Sequence, residues 1–348
     1  MMLFRALGAG LLCVLVLTGF IPETDQAQAQ AQGRALSPEQ VKKLVQRWRY
    51  EWSKTDFTKT TIDFREIISG GPPKDGIPSI DKPRYAAIKD IEPGNMAATE
   101  PVIGVIINGQ ARAYPLSVLT WHEIVNDELG GVPISVTYCP LCNSAIVFDR
   151  RLDGRVLDFG TTGKLRRSDM VMYDRQTESW WQQFLGEGIV GEMTGKRLKS
   201  IPARLEAYEK FVARAPDGDV LIPTDPHMRD YGRNPYERYD STSQPFLFRG
   251  DLPDYIEPMV RVVVIDDRAW SMPLIRKKGT VADGDLTLTW TKGQNSALDA
   301  GEIAKGRDVG NITAQRKGAD GKMTDVVYDV TFAFVYHTFH GGKKIVTE

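Results

Sequence analysis

The chain has 348 residues and a balanced charge, with 44 Lys and Arg residues against 45 Asp and Glu residues. Charged residues make up 26% of the sequence and hydrophobic residues 42%, which is ordinary for a globular protein of one or two domains. A nucleic-acid partner is not expected, because binding to phosphates requires clustered Lys and Arg side chains.

The first 20 residues, MMLFRALGAGLLCVLVLTGF, have the pattern of a secretory signal peptide. Arg5 precedes a short apolar run, and the stretch PETDQAQAQAQG that follows offers A-x-A cleavage sites. The run is shorter than the roughly 20 residues that a membrane span needs. We therefore expect residues 1–31 to be removed as a signal peptide, and the mature protein to be periplasmic or secreted without insertion into a membrane.

Residues 32–99 are predicted to form a helix followed by a Gly/Pro-rich segment. In LSPEQVKKLVQRWRYEWSK, Ser37 stands in a capping position and Pro38 at the first helical position. Apolar residues then recur every three or four positions up to Trp48, which is typical of an amphipathic helix. The stretch SGGPPKDGIPSIDKP indicates a loop.

Residues 100–190 are predicted to be rich in strands. PVIGVIINGQARAYP has two apolar runs around an Asn108-Gly109 turn, which is a hairpin signal. PLSVLTWHEIVNDELGG is predicted to be a helix that begins at Pro115 and ends before two glycines. VPISVTYC indicates a strand, and SAIVFDRRLDGRVLDFG indicates a second hairpin.

Residues 191–259 are predicted to connect this part to the last third of the chain. RLEAYEKFVARAPDG indicates a helix, and VLIPTDPHMRDYGRNPYERYD is an irregular segment rich in Tyr, Pro and Arg. The last third, residues 260–348, repeats blocks of residues 100–190 in the same order. The matched blocks are 105–116 with 263–274, 135–146 with 287–298 and, more weakly, 172–188 with 327–343.

This repetition predicts a β-rich α+β fold that is built on an internally duplicated unit with a few peripheral helices. The second copy is degenerate, because Thr291 stands in place of Cys139 and Gln294 in place of Cys142. The helix that carries His122 is predicted to have no counterpart either, since the link between the matched blocks is shorter in the second copy. The cysteines and this helix therefore belong to the first copy alone, which suggests that they work together.

The sequence resembles an exported bacterial family, the domain-of-unknown-function family numbered 3179. The resemblance rests on the stretches SGGPPKDGIP, WHEIVND, YCPLC, MYDRQTESWW and DYGRNPYERYD, and the run from Tyr114 to Arg150 is the most specific part of it. The family commonly has a glycine after the second cysteine, where this chain has Asn143; asparagine is compatible with a tight turn. The family name implies no activity, so the chemistry has to be inferred from the residues.

The C-P-L-C stretch, with Cys139 and Cys142 at its ends, is the main functional candidate. A disulfide closing this four-residue loop would contribute only about 2 kcal/mol in the chain-entropy model, which makes a purely structural role the weaker interpretation. A Cys-Pro-x-Cys turn between strands resembles one knuckle of a rubredoxin or zinc ribbon, and such sites use two knuckles. We therefore predict a metal site with His122 as the third ligand and Cu(I) or Zn(II) as the metal.

Two alternatives remain open at this point. The first is a thiol-disulfide oxidoreductase that exchanges electrons with a thiol-redox partner, with Cys139 as the attacking thiolate and Cys142 as the resolving cysteine. The helix that usually lowers the pKa of such a cysteine is not predicted after Cys142. The second is a binding module with a groove near DYGRNPYERYD and an incidental disulfide. No nucleotide cofactor is expected, because no phosphate-loop or dinucleotide-binding spacing occurs.

Overall fold

The computed structural model describes residues 36–92 and 94–348, so the predicted signal peptide lies outside the described residues. The first helix forms as predicted. The side-chain hydroxyl of Ser37 accepts a hydrogen bond from the Gln40 N–H, and the Gln40 side chain accepts one from the Ser37 N–H. This reciprocal cap satisfies backbone N–H groups that the first helical turn leaves without partners. Trp48 then anchors the helix on the ring of Trp180 at a centroid distance of 5.0 Å.

The described residues form five α-helices and 23 strands. The helices are α1 (Pro38–Glu51), α2 (Leu116–His122), α3 (Tyr208–Arg214), α4 (Met272–Lys278) and α5 (Ala333–Phe339). The first twelve strands are β1 (Ile67–Ser69), β2 (Arg84–Ala87), β3 (Pro101–Ile107), β4 (Gln110–Pro115), β5 (Ile124–Leu129), β6 (Val132–Cys139), β7 (Ser144–Asp149), β8 (Arg151–Leu152), β9 (Arg155–Val156), β10 (Phe159–Arg166), β11 (Asp169–Asp174) and β12 (Trp180–Gln182). The remaining strands are β13 (Glu187–Val190), β14 (Lys199–Ile201), β15 (Ala203–Ala207), β16 (Asp219–Ile222), β17 (Arg261–Ile265), β18 (Arg268–Ser271), β19 (Thr280–Asp283), β20 (Leu286–Thr291), β21 (Asn311–Lys317), β22 (Met323–Asp325) and β23 (Asp329–Phe332). Short 3-10 helices cover Phe64–Glu66, Ile88–Asp90, Tyr239–Ser241 and Ile303–Lys305.

The strands pair into sheets that are antiparallel, apart from a parallel contact between β4 and β16. Five strands in the order β15-β3-β4-β16-β2 form one sheet, and β14-β7-β6-β5 form another. A third sheet has the order β1-β10-β11-β12-β13. The last third of the chain forms the sheets β18-β17-β23 and β19-β20-β21-β22. The strand-rich α+β fold that the sequence predicts is therefore confirmed.

Two parts of the chain have the same order of elements. The hairpin β3–β4 is followed by α2 and by the strands β5, β6, β7 and β14, and then β15 pairs with β3 and leads into α3. The hairpin β17–β18 is followed by α4 and by the strands β19 to β22, and then β23 pairs with β17 and leads into α5. We call these parts the first unit (residues 101–214) and the second unit (residues 261–339). The strands β8 to β13 lie between β7 and β14 and have no equivalent in the second unit.

The helix α4 corrects one expectation about the second copy. The sequence predicts no counterpart for the helix that carries His122, but α4 occupies the same place in the order of elements and has the same length of seven residues. Both helices are followed by a residue with positive φ, Glu123 at 58° and Gly279 at 71°. The helix predicted over PLSVLTWHEIVNDELGG is also longer than the one observed. The observed helix α2 ends at His122, and Ile124–Leu129 forms the strand β5.

The weakest of the three sequence matches does not correspond to equivalent structure. Residues 172–188 run through β11, β12 and the start of β13 in the third sheet. Residues 327–343 include β23 and α5, whose place in the order of elements is that of β15 and α3. The shared Tyr-Asp and aromatic positions therefore arise in two different settings. None of the helices in residues 36–92 and 94–348 is long and apolar enough to cross a membrane.

Candidate metal centre

Cys139 and Cys142 lie at the two ends of a tight turn that joins β6 to β7. The Cys142 N–H donates to the Cys139 carbonyl at 3.2 Å, and the Asn143 N–H donates to the Pro140 carbonyl at 3.1 Å. Asn143 has a φ of 51°, in the left-handed region that glycine enters freely and asparagine tolerates best among other residues. The turn therefore has a physical need for Gly or Asn directly after the second cysteine.

Substitution of Asn143 tests this turn. Asn143→Gly keeps the backbone conformation but loses the hydrogen bond from the Asn143 side-chain amide to the Val330 carbonyl at 2.8 Å. Asn143→Ala loses the same hydrogen bond and adds the cost of a left-handed residue with a Cβ, about 1–2 kcal/mol. Urea denaturation should therefore rank the alanine variant below the glycine variant in free energy of unfolding. The opposite order would contradict the assigned turn.

A second turn brings Asp169 to the cysteines. Arg167 and Ser168, with φ values of 53° and 69°, connect β10 to β11, and Asp169 is the first residue of β11. One ligand atom from each of Cys139, Cys142 and Asp169 lies within 4.8 Å of the other two. The Ser168 carbonyl oxygen also faces the pair, 3.9 Å from the Cys139 Sγ and 3.5 Å from the Cys142 Sγ.

The Asp169 carboxylate is held from one side only. Its Oδ2 accepts hydrogen bonds from the Gln182 side-chain amide and from the Phe184 N–H, the latter at 3.0 Å. These bonds come from β12 and from the turn that follows it, and they fix the orientation of the carboxylate. Its Oδ1 has no hydrogen-bond partner among the described residues. This arrangement leaves one oxygen available for a ligand bond while the other is anchored.

The cluster is deeply buried and consists of acids. Cys139 is 2% exposed, whereas Cys142 and Asp169 are both 0% exposed. Burial raises the pKa of both thiols above their ordinary value, and it raises the pKa of Asp169 to about 6. Glu123 lies nearby, and burial followed by the charge of Asp169 raises its pKa to about 8. The negative charges that these groups would carry when ionised repel one another, and a bound cation would relieve this repulsion.

These donors fit a divalent metal ion. Two thiolates and a carboxylate match the ligand types of protein zinc sites, and metal binding would release the protons that burial otherwise retains on the sulfurs. A span of 4.8 Å is small enough for all three ligand atoms to approach one ion. Cys139, Cys142 and Asp169 are therefore the residues that could hold a metal, with the Ser168 carbonyl or a water molecule available for a fourth position.

The structure does not bring His122 into this cluster. The His122 Nδ1 is 2.7 Å from the Pro78 carbonyl, and its Nε2 is 2.8 Å from the Tyr231 hydroxyl. The His122 ring also stacks on the Tyr231 ring at a centroid distance of 5.7 Å. Both nitrogens thus have partners away from the sulfurs, because α2 ends at His122 and the chain turns sharply at Glu123. Asp169, rather than His122, is the third side chain of the cluster.

Asp169 is the residue that the sequence analysis missed. The two methionines on the same strand, Met170 and Met172, are 3% and 0% exposed and pack in the same hydrophobic cluster as the cysteines. The sequence did contain a signal for Asp169, because this carboxylate is the first residue of a strand and the four residues that follow it are apolar or aromatic. The approach of that carboxylate to the cysteines could not be identified from the sequence, because Asp169 belongs to the third sheet and the cysteine turn joins β6 to β7 in another sheet.

The second unit supports the cysteine turn from outside. The Cys142 carbonyl accepts hydrogen bonds from the Thr331 hydroxyl at 2.7 Å and from the Phe332 N–H at 3.3 Å. Both donors lie on β23, which is also the strand whose Val330 carbonyl binds the Asn143 side chain. The unit without cysteines therefore fixes the backbone of the unit that has them.

The segment DYGRNPYERYD packs over the same turn. The Tyr239 hydroxyl donates to the Leu141 carbonyl at 2.9 Å, between the two cysteines in sequence. Further along the connection, the Phe246 carbonyl accepts a hydrogen bond from the Ser168 hydroxyl. Burial, followed by the charge of the nearby Glu123 carboxylate, raises the pKa of the Tyr236 hydroxyl. The segment thus covers the cysteine turn.

Comparison with known proteins identifies a family for this chain. The family model described as "Protein of unknown function (DUF3179)" matches residues 74–343. The matched region contains Cys139, Cys142 and Asp169, together with the whole of both units. No curated protein and no solved structure matches the sequence. Because the family model covers more than half of the sequence, the chain belongs to the DUF3179 family.

Proposed function

We propose that this protein is an exported metal-binding protein that holds one Zn(II) ion through Cys139, Cys142 and Asp169. The observation that carries the proposal is the convergence of the two sulfurs and a carboxylate oxygen within 4.8 Å in a buried site. A buried cluster of acids without a basic partner is unfavourable by itself. A divalent cation converts it into a favourable ligand set.

The carboxylate ligand favours Zn(II) over Cu(I). Cu(I) prefers soft ligands, and two thiolates with the imidazole of His122 would have suited it. Asp169 offers a hard oxygen instead, and oxygen ligands suit Zn(II) better than Cu(I). Zinc also accepts the tetrahedral arrangement that two cysteines, one carboxylate and a fourth oxygen would provide.

The thiol-disulfide oxidoreductase is the less favoured function. A cysteine that attacks a disulfide needs a lowered pKa and access to its partner. Burial raises the pKa of both Cys139 and Cys142, and neither side chain is more than 2% exposed. The chain continues from Cys142 into β7 and not into a helix, so the cysteines do not precede a helix N-terminus that would stabilise a thiolate.

Metal analysis of the wild-type protein tests the zinc proposal. The protein is isolated from the periplasm under reducing conditions, and its metals are counted per chain by plasma mass spectrometry. We expect one zinc ion per chain. Replacement of zinc by Co(II) should produce the absorption bands of a thiolate-bound tetrahedral ion. Reduced protein that takes up neither Zn(II) nor Co(II) would contradict the proposal.

His122→Ala separates the two candidate ligand sets. Since both ring nitrogens of His122 bind Pro78 and Tyr231, the variant should retain one zinc ion per chain while losing some stability. The measurement is zinc content together with thermal unfolding. A folded His122→Ala protein without zinc would return His122 to the ligand set and remove the present assignment.

We also infer that the mature protein is periplasmic and that its two units arose by duplication. The hairpins β3–β4 and β17–β18 support the duplication. Each has a two-residue turn whose first residue has a positive φ, Asn108 at 49° and Asp266 at 54°, and these two residues are matched in the sequence repeat. Cell fractionation should recover a chain that lacks residues 1–31 from the periplasm. A superposition of residues 101–214 on residues 261–339 that fails to align the shared elements would contradict the duplication.

A further inference from the structure

Glu123, the residue that follows α2, has a backbone conformation that suits glycine better than glutamate. Its φ is 58° and its ψ is −31°. Residues with a Cβ that enter positive φ do so mainly at positive ψ, so Glu123 lies outside the regions that are ordinarily allowed. Such strained residues persist where the surrounding structure holds them in place, and they are most common at functional sites. The strain at Glu123 therefore points to a role for its side chain.

The second unit has glycine at the equivalent position. Gly279 follows α4 and has a φ of 71° and a ψ of −45°, close to the values of Glu123. The Glu123 carbonyl accepts a hydrogen bond from the Tyr138 N–H at 2.8 Å. The Gly279 carbonyl accepts one from the Trp290 N–H at 2.9 Å. Tyr138 and Trp290 are matched in the sequence repeat. Glycine thus performs the same backbone role without strain, and this role does not require a carboxyl group.

The glutamate occurs in the unit that has the cysteines. The second unit lacks both cysteines and has the glycine that this backbone conformation favours. The first unit has Cys139 and Cys142, and it has the strained glutamate. The hydrogen bond from the Tyr138 N–H also places Glu123 beside the residue that precedes Cys139. The acid therefore lies next to the cysteine turn and is absent where the cysteines are absent.

The carboxyl group of Glu123 has no partner of its own. No residue in the described part of the chain donates a hydrogen bond to it or forms a salt bridge with it. Glu123 is 9% exposed, and its carboxyl oxygens retain accessible surface, in contrast to the Asp169 Oδ1. Burial is the main cause of the raised pKa of Cys139, and the charges of Asp169 and Glu123 add to it. The carboxyl group is thus close to the proposed ligands and accessible to a water molecule.

We infer that Glu123 completes the metal centre by accepting a hydrogen bond from a water molecule that occupies the fourth position on the zinc ion. The inference rests on the zinc site proposed above. The Glu123 carboxyl group is not one of the three groups whose ligand atoms lie within 4.8 Å of one another, which fits a residue one water molecule further from the ion. Zinc sites with three protein ligands keep their fourth position for water or another exchangeable ligand, whereas closed structural sites have four protein ligands.

Glu123→Gln and a matched control test the role of the carboxylate. Glutamine keeps the size of the side chain but cannot carry the negative charge that would hold the water molecule. Zinc affinity should fall about 10–100-fold, the usual effect of removing a group that supports a metal ligand, as measured by competition with a coloured chelator. The control Glu128→Gln replaces an exposed glutamate on β5 and should leave the affinity unchanged. Equal zinc affinity in the two variants would overturn the inference.

The Co(II)-substituted protein distinguishes a contact through water from a direct bond. If Glu123 binds through water, Glu123→Gln keeps the same ligand atoms around the ion. Its thiolate and tetrahedral absorption bands should therefore match those of the wild type, although it binds the ion more weakly. Loss of the tetrahedral bands in Glu123→Gln would show that Glu123 binds the ion directly, and would overturn the role through water.

Glu123→Gly keeps the test decisive if Glu123→Gln does not fold. Glycine is the residue that the second unit has at this position, so the backbone conformation is preserved. Zinc affinity should fall about 10–100-fold in this variant as well. A wild-type protein and a Glu123→Gly protein that bind zinc equally well would overturn this inference alone. A reduced wild-type protein that takes up no zinc would overturn the zinc proposal and this inference together.

Discussion

Replacement of Cys142 by serine is expected to abolish stoichiometric zinc binding. The Cys142 side chain is 0% exposed and lies within 4.8 Å of the other two ligand atoms, so no other side chain can take its place without rearrangement of the turn. The loss of affinity should exceed the roughly 10–100-fold that removal of a supporting hydrogen bond costs at a metal site. Competition against a coloured zinc chelator measures the affinity directly.

Asp169 variants distinguish a ligand from a nearby acid. Asp169→Asn keeps an oxygen that can accept from Gln182 and Phe184 but cannot carry the negative charge, and it should weaken zinc binding strongly. The matched control is Asp254→Asn, an exposed carboxylate remote in sequence from the three ligands. Zinc affinity that is equal in Asp169→Asn and Asp254→Asn would show that the carboxylate does not bind the metal.

The first helix and the cysteine turn could be predicted from the sequence because their determinants are local. Ser37 and Pro38 define the start of α1 within four residues, and the C-P-L-C pattern defines its own turn. Such signals depend on neighbouring residues and hold in many tertiary contexts. The predicted pair Cys139 and Cys142 is accordingly close together in the structure.

The end of α2 and the identity of the third ligand depend on tertiary structure. The apolar pattern after Trp121 fits a helix, but the chain turns at Glu123 because Ile124–Leu129 pairs with β6. This turn directs His122 towards Pro78 and Tyr231. Asp169 reaches the sulfurs because its end of the third sheet packs against the β6–β7 turn of another sheet. A single sequence does not contain this packing, since the two turns belong to different sheets.

Asp240→Ala is expected to destabilise the protein by about 3–5 kcal/mol, the cost of removing one partner from a buried ion pair. The Asp240 side chain is 0% exposed and lies 2.9 Å from a guanidinium nitrogen of Arg261, whose side chain is 9% exposed. Arg307 and the Ser296 hydroxyl complete the contacts of this carboxylate. The alanine variant leaves the Arg261 charge buried without its partner. Urea denaturation at neutral pH measures the change in free energy of unfolding.

The control for this prediction is the double variant Asp240→Ala with Arg261→Met. Removing both charges avoids the unpaired guanidinium, so the double variant should be more stable than Asp240→Ala alone. Zinc content provides a second readout, because Asp240 follows Tyr239, whose hydroxyl binds the Leu141 carbonyl in the cysteine turn. A single variant that is as stable as the wild type would contradict the assigned ion pair.

The same ion pair predicts the sign of an acid effect on stability. Burial alone would raise the pKa of Asp240, but Arg261, Ser296 and Arg307 together lower it below the ordinary value of 3.8. A carboxylate with a lowered pKa in the folded state contributes stability above the pKa of the unfolded state and loses it as the pH falls through the folded value. The gap in stability between the wild type and Asp240→Ala should therefore be constant from neutral pH down to about 5 and shrink below about 4. Urea midpoints measured across this range would contradict the ion pair if the gap widened in acid.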